Sequence, residues 1–189
     1  MKIMESSTFN EGELLDDKLE KVAVGYCDIL FGEEEQCQAL LQVLQNNDCR
    51  KIISKCVDGC QLSNAFVWAG YHNHFDILQT FLDQGMNVDI KNEFENTALI
   101  VASTRDHEES FRLLSHHSAN VDIQGYNGWT ALMYASINRD KEIVELLLDH
   151  NPDIDLKRYH DLKTAFDLAS SEEIKEMIRN HVNTSYVLK

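Results

Sequence analysis

Apolar residues recur at three- and four-residue steps through the first 48 positions of the chain, which is the spacing of one face of an α-helix. The two runs comprise Leu15, Leu19, Val22, Ala23, Tyr26 and Leu30, and then Cys37, Leu40, Leu41 and Leu44. Gly32 separates them, and acidic residues stand near the first turn of each, where carboxylates complement the helix dipole. The pattern predicts two amphipathic helices in this segment.

One short motif recurs along the rest of the chain with a nearly constant period. Residues 97–102 (TALIVA) return as residues 130–135 (TALMYA), a shift of 33 positions, and residues 64–69 (NAFVWA) lie 33 positions earlier. A fourth copy at residues 164–169 (TAFDLA) follows after 34 positions, with the extra residue placed in the loop near residues 157–159. The other end of the unit keeps the same period at residues 87–90, 120–123 and 153–156. A period shared by both ends indicates an internal structural repeat.

Each repeat carries the pattern of two helices. In the third copy, Thr130 is placed to cap a first helix, and the apolar positions of both helices are Leu132, Met133 and Ala135, then Ile143, Val144, Leu146, Leu147 and Leu148. The polar residues 124–128 supply a turn between units. Because neither helix can bury its apolar face alone, stacked units are expected to build one elongated core.

Residues 60–182 resemble ankyrin repeats. The family pattern runs as a turn with Asp or Gly, then Thr-Pro-Leu-His, two alanines, Gly-His, Ile-Val, Leu-Leu and Gly-Ala-Asp-Val-Asn, and residues 127–148 are the closest copy here. The resemblance implies an all-α ankyrin-repeat solenoid of helix-turn-helix units with about four repeats, at 60–91, 92–124, 125–157 and 158–182. Residues 13–59 are expected to form a divergent helical N-terminal cap, which is a degenerate repeat, between a flexible N-terminus (1–12) and the repeats; residues 183–189 are a C-terminal tail.

The chain departs from the family pattern at two positions in every repeat. The family proline is replaced by Ala65, Ala98, Ala131 and Ala165, and the fold is expected to survive because alanine favours helix. The family histidine is replaced by Val67, Ile100, Met133 and Asp167, so we expect its hydrogen bonds to the neighbouring turn to be lost and the stability to be lower than in an idealised array. The last unit is short between its helices and polar at Lys175, Glu176, Arg179 and Asn180, as a terminal cap is.

Charge narrows the range of partners. The chain has 32 acidic and 17 basic residues, a net charge of −15 and a pI near 4.8. Nucleic acids and anionic membranes both attract clustered Lys and Arg, so this charge disfavours direct binding to either and favours a basic protein partner. About half of the charge, −8, falls on the first 48 residues, with eleven acidic and three basic side chains.

The sequence also indicates where the protein is located and whether its cysteines are reduced. No run approaches the roughly 20 apolar residues of a membrane helix, and residues 1–10 lack the apolar core of a secretory signal. We therefore expect a cytoplasmic protein, or a nuclear one in a eukaryotic cell. The odd number and the spacing of the cysteines match no disulfide or zinc pattern, so reduced thiols are expected at Cys27, Cys37, Cys49, Cys56 and Cys60.

Signatures of catalysis and metal binding are missing from the sequence. It contains no glycine-rich phosphate loop, nucleophile elbow or paired acid–base signature. The histidines of residues 72–74 and 116–117 lack the four converging ligands of a zinc site, and residues 149–155 lack the spacing of a calcium loop. We expect no enzymatic activity, no cofactor and no metal.

The resemblance implies a protein-binding surface at the turn tips and on the exposed side of the first helices, which line a concave groove in the family. Register gives ten candidate residues: Tyr71, His72, Phe94, Asn96, Arg105, Tyr126, Trp129, Ile137, Asn138 and Lys163. Phe94, Tyr126 and Trp129 are expected to be exposed at neighbouring tips, and aromatic residues dominate interface energetics. The alternative for each aromatic is packing on the adjacent turn, which would stiffen the array.

Three functions fit these features. The leading one is a non-enzymatic intracellular adaptor or inhibitor that binds a basic protein, or one with an exposed apolar segment, through the groove and the tips. The second is an acidic inhibitor of the immunity type, which blocks the active site of a basic enzyme by mimicking its anionic substrate; its association would fall steeply with salt. The third is the repeat domain of a larger scaffold or enzyme.

Overall fold

The computed structural model describes Gly59 and residues 61–187. The two helices predicted from the first 48 residues, the flexible segment 1–12 and the five cysteines lie outside the described residues. The described part of the chain contains nearly all of the residues assigned to repeats.

Eight α-helices lie within residues 61–187, and they follow one another in four pairs. The first helices are α1 (Gln61–Tyr71), α3 (Ala98–Thr104), α5 (Ala131–Asn138) and α7 (Ala165–Leu168), and the second helices are α2 (Phe75–Asp83), α4 (Glu108–His116), α6 (Lys141–Asp149) and α8 (Glu172–Val187). A short 3-10 turn, Tyr126–Gly128, precedes α5. The predicted all-α repeat architecture is confirmed in this part of the chain.

The helices pack in two layers. The first helices α1, α3, α5 and α7 contact one another in order, and the second helices α2, α4, α6 and α8 do the same. The hydrophobic core lies between the layers and extends from Leu62 to Ile178. Small residues let the first helices approach closely: a Cβ atom on Gly70 of α1 would lie 3.0 Å from the carbonyl oxygen of Ala98 in α3.

Side chains that cap the helices explain where several of them begin. Thr97, Thr130 and Thr164 each accept a hydrogen bond from the backbone N–H three residues further on, which confirms the cap predicted at Thr130. At the start of α7, Asp167 accepts a bond from the backbone N–H of Thr164 and completes a capping box. Asp140 caps α6 through the N–H of Ile143 at 3.0 Å.

Left-handed backbone recurs with the period of the repeat. Just after α2, α4 and α6, the backbone turns through Gly85, Ser118 and Asn151, with φ of +89°, +62° and +50°. This conformation costs glycine little but strains residues with a Cβ atom, asparagine least among them. The same turn is therefore made at different energetic cost in successive units.

Hydrogen bonds join the turns of neighbouring units despite the missing family histidine. The backbone N–H of Asn120 donates to Asp89 Oδ1 at 2.8 Å, and that of Asp153 donates to Asp122 Oδ1 at 2.7 Å. These bonds repeat with the register of the array. The absence of the histidine thus leaves the turns connected through other side chains, and the lower stability expected from its loss stays a prediction.

The last unit differs from the others in both helices. α7 has only four residues, so the last unit is short in its first helix. The prediction of a short connection between its helices is wrong, because residues 169–171 form a connection as long as those after α1 and α3. α8 has sixteen and continues past residue 182 to Val187, into the segment assigned to a tail. Glu176, Arg179 and Asn180 are exposed on it, as expected for a terminal unit. The exact boundaries of the four units stay predictions.

Candidate protein-binding surface

The turns before α3 and α5 present aromatic side chains to solvent. Phe94 is 61% exposed and Tyr126 is 57% exposed. Asparagines from the preceding unit hold these turns: Asn96 Oδ1 accepts from the Tyr126 N–H at 3.2 Å, and Asn64 Oδ1 accepts from the Glu93 N–H at 2.9 Å. The exposed rings therefore project from turns that are anchored in place.

Trp129 does not share this exposure. Its ring is half-buried and stacks on Tyr134 with the ring centroids 4.4 Å apart and the planes at 19°. The guanidinium of Arg158, from the following turn, lies 4.4 Å from the Trp129 ring centroid, and Asp161 holds that guanidinium through two hydrogen bonds. The expectation of an exposed aromatic is wrong here, because side chains of its own and the next unit cover the ring. Packing on the adjacent turn, the alternative considered for each aromatic, is what the structure shows.

Sequence reasoning missed two exposed residues on the turn before α7. Tyr159 is 66% exposed and Leu162 is 67% exposed. Tyr159 lies 33 positions after Tyr126, so the register could have identified it, but the extra residue placed near 157–159 obscured the match. Its backbone N–H donates to the carbonyl of Asn127 at 3.1 Å. We refer to Phe94, Tyr126 and Tyr159 as the tip aromatics.

The ends of the first helices carry further predicted residues. Tyr71 is half-buried, and the exposed Arg105 places its guanidinium 4.3 Å from the Tyr71 ring centroid. Ile137 is 41% exposed. Asn138 is exposed and donates through Nδ2 to the Thr104 carbonyl at 2.9 Å. Cation–π stacking therefore covers part of Tyr71, and an inter-unit hydrogen bond holds Asn138.

His72 belongs to a stack of rings at the end of α1. Its centroid lies 4.5 Å from that of Trp68, and His74 lies on the same indole at 4.9 Å. Burial, together with the nearby His74 and His107, lowers the pKa of His72. The ring is therefore neutral at pH 7 and is suited to packing and hydrogen bonding rather than to carrying charge.

A cavity of about 250 Å³ connects the turn before α3 with the first-helix layer. Four predicted site residues line it, together with further aromatic and acidic side chains: Tyr71, His72, Phe94, Asn96, Trp68 and Glu93. The structure thus brings these four together. Tyr126, Trp129, Ile137 and Asn138 lie in the next unit, and Lys163 is exposed on the last turn, 3.9 Å from Asp161.

Metal-binding clusters and membrane-spanning helices are both absent from the described part of the chain. Within residues 61–187, no group of three or more His, Cys, Asp or Glu side chains is arranged to hold a metal ion. None of the described helices is both long and apolar enough to cross a membrane.

The comparisons with known proteins agree with the repeat geometry. A family model for ankyrin repeats matches three overlapping stretches, residues 26–125, 66–158 and 117–180. The first match begins inside the segment predicted as the N-terminal cap. No curated protein matches the chain significantly. Ankyrin repeats are generally protein–protein interaction modules and are typically non-enzymatic. With paired helices at a 33-residue period and a match over most of its length, the chain belongs to the ankyrin repeat family.

Proposed function

We propose that this protein binds a protein partner through the tip aromatics and the cavity beside Phe94. The observation that carries the proposal is the row of three aromatic side chains, each more than half exposed, on turns held by inter-unit hydrogen bonds. Large apolar rings in water are favourable anchors, because a partner that covers them removes their surface from solvent. Anchored turns also lose little conformational freedom on binding.

The partner is a basic segment with an apolar side chain at its centre. The cavity, lined by Trp68, Tyr71 and Phe94, has room for one large side chain. Glu93 lines the same cavity and Glu95 is exposed beside Phe94. Lys or Arg residues that flank the inserted side chain would meet these carboxylates, and the net charge of −15 would attract them over a longer range.

Two roles use this surface in different ways. An adaptor in the cell depends mainly on the apolar contacts, whereas an inhibitor that covers the active site of a basic enzyme depends on charge for rapid association. The net charge of −15 makes the inhibitor role a second candidate. The salt dependence of the association rate separates the two.

The experiment compares two matched variants of the full chain. Phe94→Ala/Tyr126→Ala removes two tip aromatics. Phe75→Ala removes an aromatic that is 41% exposed on α2, in the other helix layer, and serves as the control. Partners captured by the wild type and by the control, but not by the double variant, are then purified for direct binding measurements.

With a purified partner, the double variant is expected to bind at least about 30-fold more weakly than the wild type, which corresponds to about 2 kcal/mol. The control variant should bind within about twofold of the wild type. Equal losses in both variants, or none in either, would reject the tip aromatics as the binding surface. An association rate that drops steeply between about 50 and 500 mM salt would identify the inhibitor role, and a salt-independent rate would exclude it.

A further inference from the structure

The junction between the second and third units lacks hydrogen-bond donors that the preceding junction has. At that earlier junction, His107 Nε2 donates to the Tyr71 carbonyl at 3.0 Å, and Ser110 Oγ donates to Asn73 Oδ1 at 2.7 Å. Both bonds join the short loop after a first helix to the start of the next second helix. Two donor side chains of α4 and its cap therefore satisfy two acceptors of the unit before.

One repeat later, the corresponding positions carry different side chains. His107 corresponds to Asp140, Ser110 to Ile143 and Asn73 to Asp106, each 33 positions further on. Asn138 Nδ2 now donates to the carbonyl that corresponds to that of Tyr71. The carboxylates of Asp106 and Asp140 therefore lie close to each other, where the preceding junction pairs donors with acceptors.

Asp140 is buried with an unpartnered oxygen. The residue is 8% exposed, and its Oδ1 accepts from the Ile143 N–H as the cap of α6. Its Oδ2 is fully buried and receives no hydrogen bond from the described residues. Asp106, whose carboxylate lies within hydrogen-bonding reach of Asp140, is itself exposed. A buried carboxylate oxygen without a donor is costly in its charged form.

Within the described residues, the charged groups around the pair donate no hydrogen bond to Asp140 Oδ2. Arg105, next to Asp106 in the chain, places its guanidinium 4.3 Å from the Tyr71 ring centroid. His107, beside Asp106, donates through Nε2 to the Tyr71 carbonyl, and Arg139 donates through Nε to Ser170 Oγ at 3.0 Å. Lys141, at the start of α6, pairs with Glu173 on α8. Glu142, also on α6, adds a further negative charge beside Asp140.

We propose that Asp106 and Asp140 form a proton-binding site at this junction, where one shared proton supplies the missing donor at mildly acidic pH and leaves as the pH approaches neutrality. Because Oδ2 is fully enclosed, a proton fits without any movement of the chain, whereas a lysine or arginine of a partner would require the loop to open. Protonated, the pair makes a carboxyl–carboxylate hydrogen bond across the junction. Deprotonated, it places two like charges side by side.

The shared proton should make the free energy of unfolding depend on pH in a defined direction. Burial, with the adjacent carboxylates of Asp106 and Glu142, raises the pKa of Asp140 from its ordinary 3.8 to about 6. A carboxyl whose pKa is higher in the folded state stabilises the fold fully below its unfolded pKa, and this contribution is lost as the pH rises through the folded pKa. The loss therefore falls between about pH 4 and 6. Arg105, next to Asp106 in the chain, stacks on Tyr71, which lines the cavity of the proposed binding surface.

The first test follows the carboxyl carbon of Asp140 by NMR in the full, carbon-13-labelled chain as the pH is varied. The expected midpoint is about pH 6 in the wild type. In Asp106→Asn, the like charge is removed and an amide donor is added, so the midpoint should fall by at least about one pH unit. A wild-type midpoint below about pH 4.5, or a midpoint that Asp106→Asn leaves unchanged, would overturn the proposal.

The second test measures the folding equilibrium constants of the wild type and Asp140→Asn at about pH 4.5 and 7.5. Asparagine keeps the cap of α6 and carries no charge. The ratio of the variant's constant to that of the wild type should rise at least about tenfold between these pH values, and titration of His72 and His107 cancels because both proteins contain them. As a control, Asp167→Asn removes a carboxyl whose pKa the Thr164 hydrogen bonds lower, so its ratio should not rise. A constant ratio for Asp140→Asn contradicts a shared proton. If that variant does not fold, the NMR titration still decides.

Discussion

The half-buried ring of Trp129 can be tested for a structural role, in which it stabilises the array, against a role in binding a partner. Trp129→Ala removes the stack on Tyr134 and the surface under the guanidinium of Arg158. An aromatic pair contributes about 0.5–1.5 kcal/mol beyond its area. A cation–π contact contributes about 0.5–1 kcal/mol at an exposed site, which is a lower bound here because the Arg158 side chain is only 18% exposed. Since the ring is not fully buried, the total should lie below the roughly 3–5 kcal/mol of a core Trp→Ala change. We expect a loss of about 2–3 kcal/mol.

Urea unfolding of the full chain, followed by circular dichroism, measures this loss. A double-mutant cycle with Arg158→Gln should give a coupling free energy of at least about 0.5 kcal/mol, because the two side chains contact across the junction of the third and fourth units. Phe94→Ala is the matched control: it truncates an aromatic that is 61% exposed and should change the free energy of unfolding by less than about 0.5 kcal/mol. If Trp129→Ala is no more destabilising than Phe94→Ala, or if the coupling vanishes, the structural role assigned to Trp129 is wrong.

Three further predictions concern the turns and the ring stack. Ser118→Gly should raise the free energy of unfolding by about 1 kcal/mol by relieving left-handed backbone, and Asn151→Gly should raise it less; an equal effect at both would contradict the strain argument. Gly128→Ala should lower the free energy of unfolding by about 1–2 kcal/mol, since φ is +79° and the added Cβ would lie 2.8 Å from the ring of Tyr159. The decrease in melting temperature that Gly128→Ala causes should be smaller in a Tyr159→Ala background. Burial lowers the pKa of His72, so the neutral ring contributes stability that is present above its unfolded pKa and lost as the pH falls through the folded value. The ratio of the folding constant of His72→Gln to that of the wild type should therefore rise between about pH 7 and 5, where the Asp140 contribution cancels because both proteins contain it, and a constant ratio would refute this.

Much of the fold could be predicted from the sequence because its determinants are local. The cap at Thr130 and the apolar positions that follow it stand within one helix, so spacing alone defines the helix and its start. The 33-residue period then requires the same unit to recur and stack. These features would be recognised in any surroundings, and the structure confirms them from α1 to α8.

The candidate site was less predictable because exposure depends on residues in other units. Tyr126 and Trp129 stand three positions apart in one turn, and both have the composition of an interface residue. Tyr126 remains 57% exposed, whereas Trp129 is covered by Arg158, from the turn of the following unit. Tyr159 was missed for a related reason: a one-residue insertion moved the register just where it was needed.

The sequence by itself determined the paired helices of the repeats, the cap at Thr130, the repeat period and the family, since each follows from residues within one or two turns or from self-similarity along the chain. The tertiary structure alone decided which aromatic rings face solvent and where hydrogen-bond donors are missing. Asp140 shows the difference most clearly. Its role as the cap of α6 depends only on the neighbouring Ile143 N–H, but its enclosed oxygen and its acidic neighbour depend on how the third unit docks on the second. Burial and pairing are properties of contacts between units, and those contacts exist only once the array is stacked.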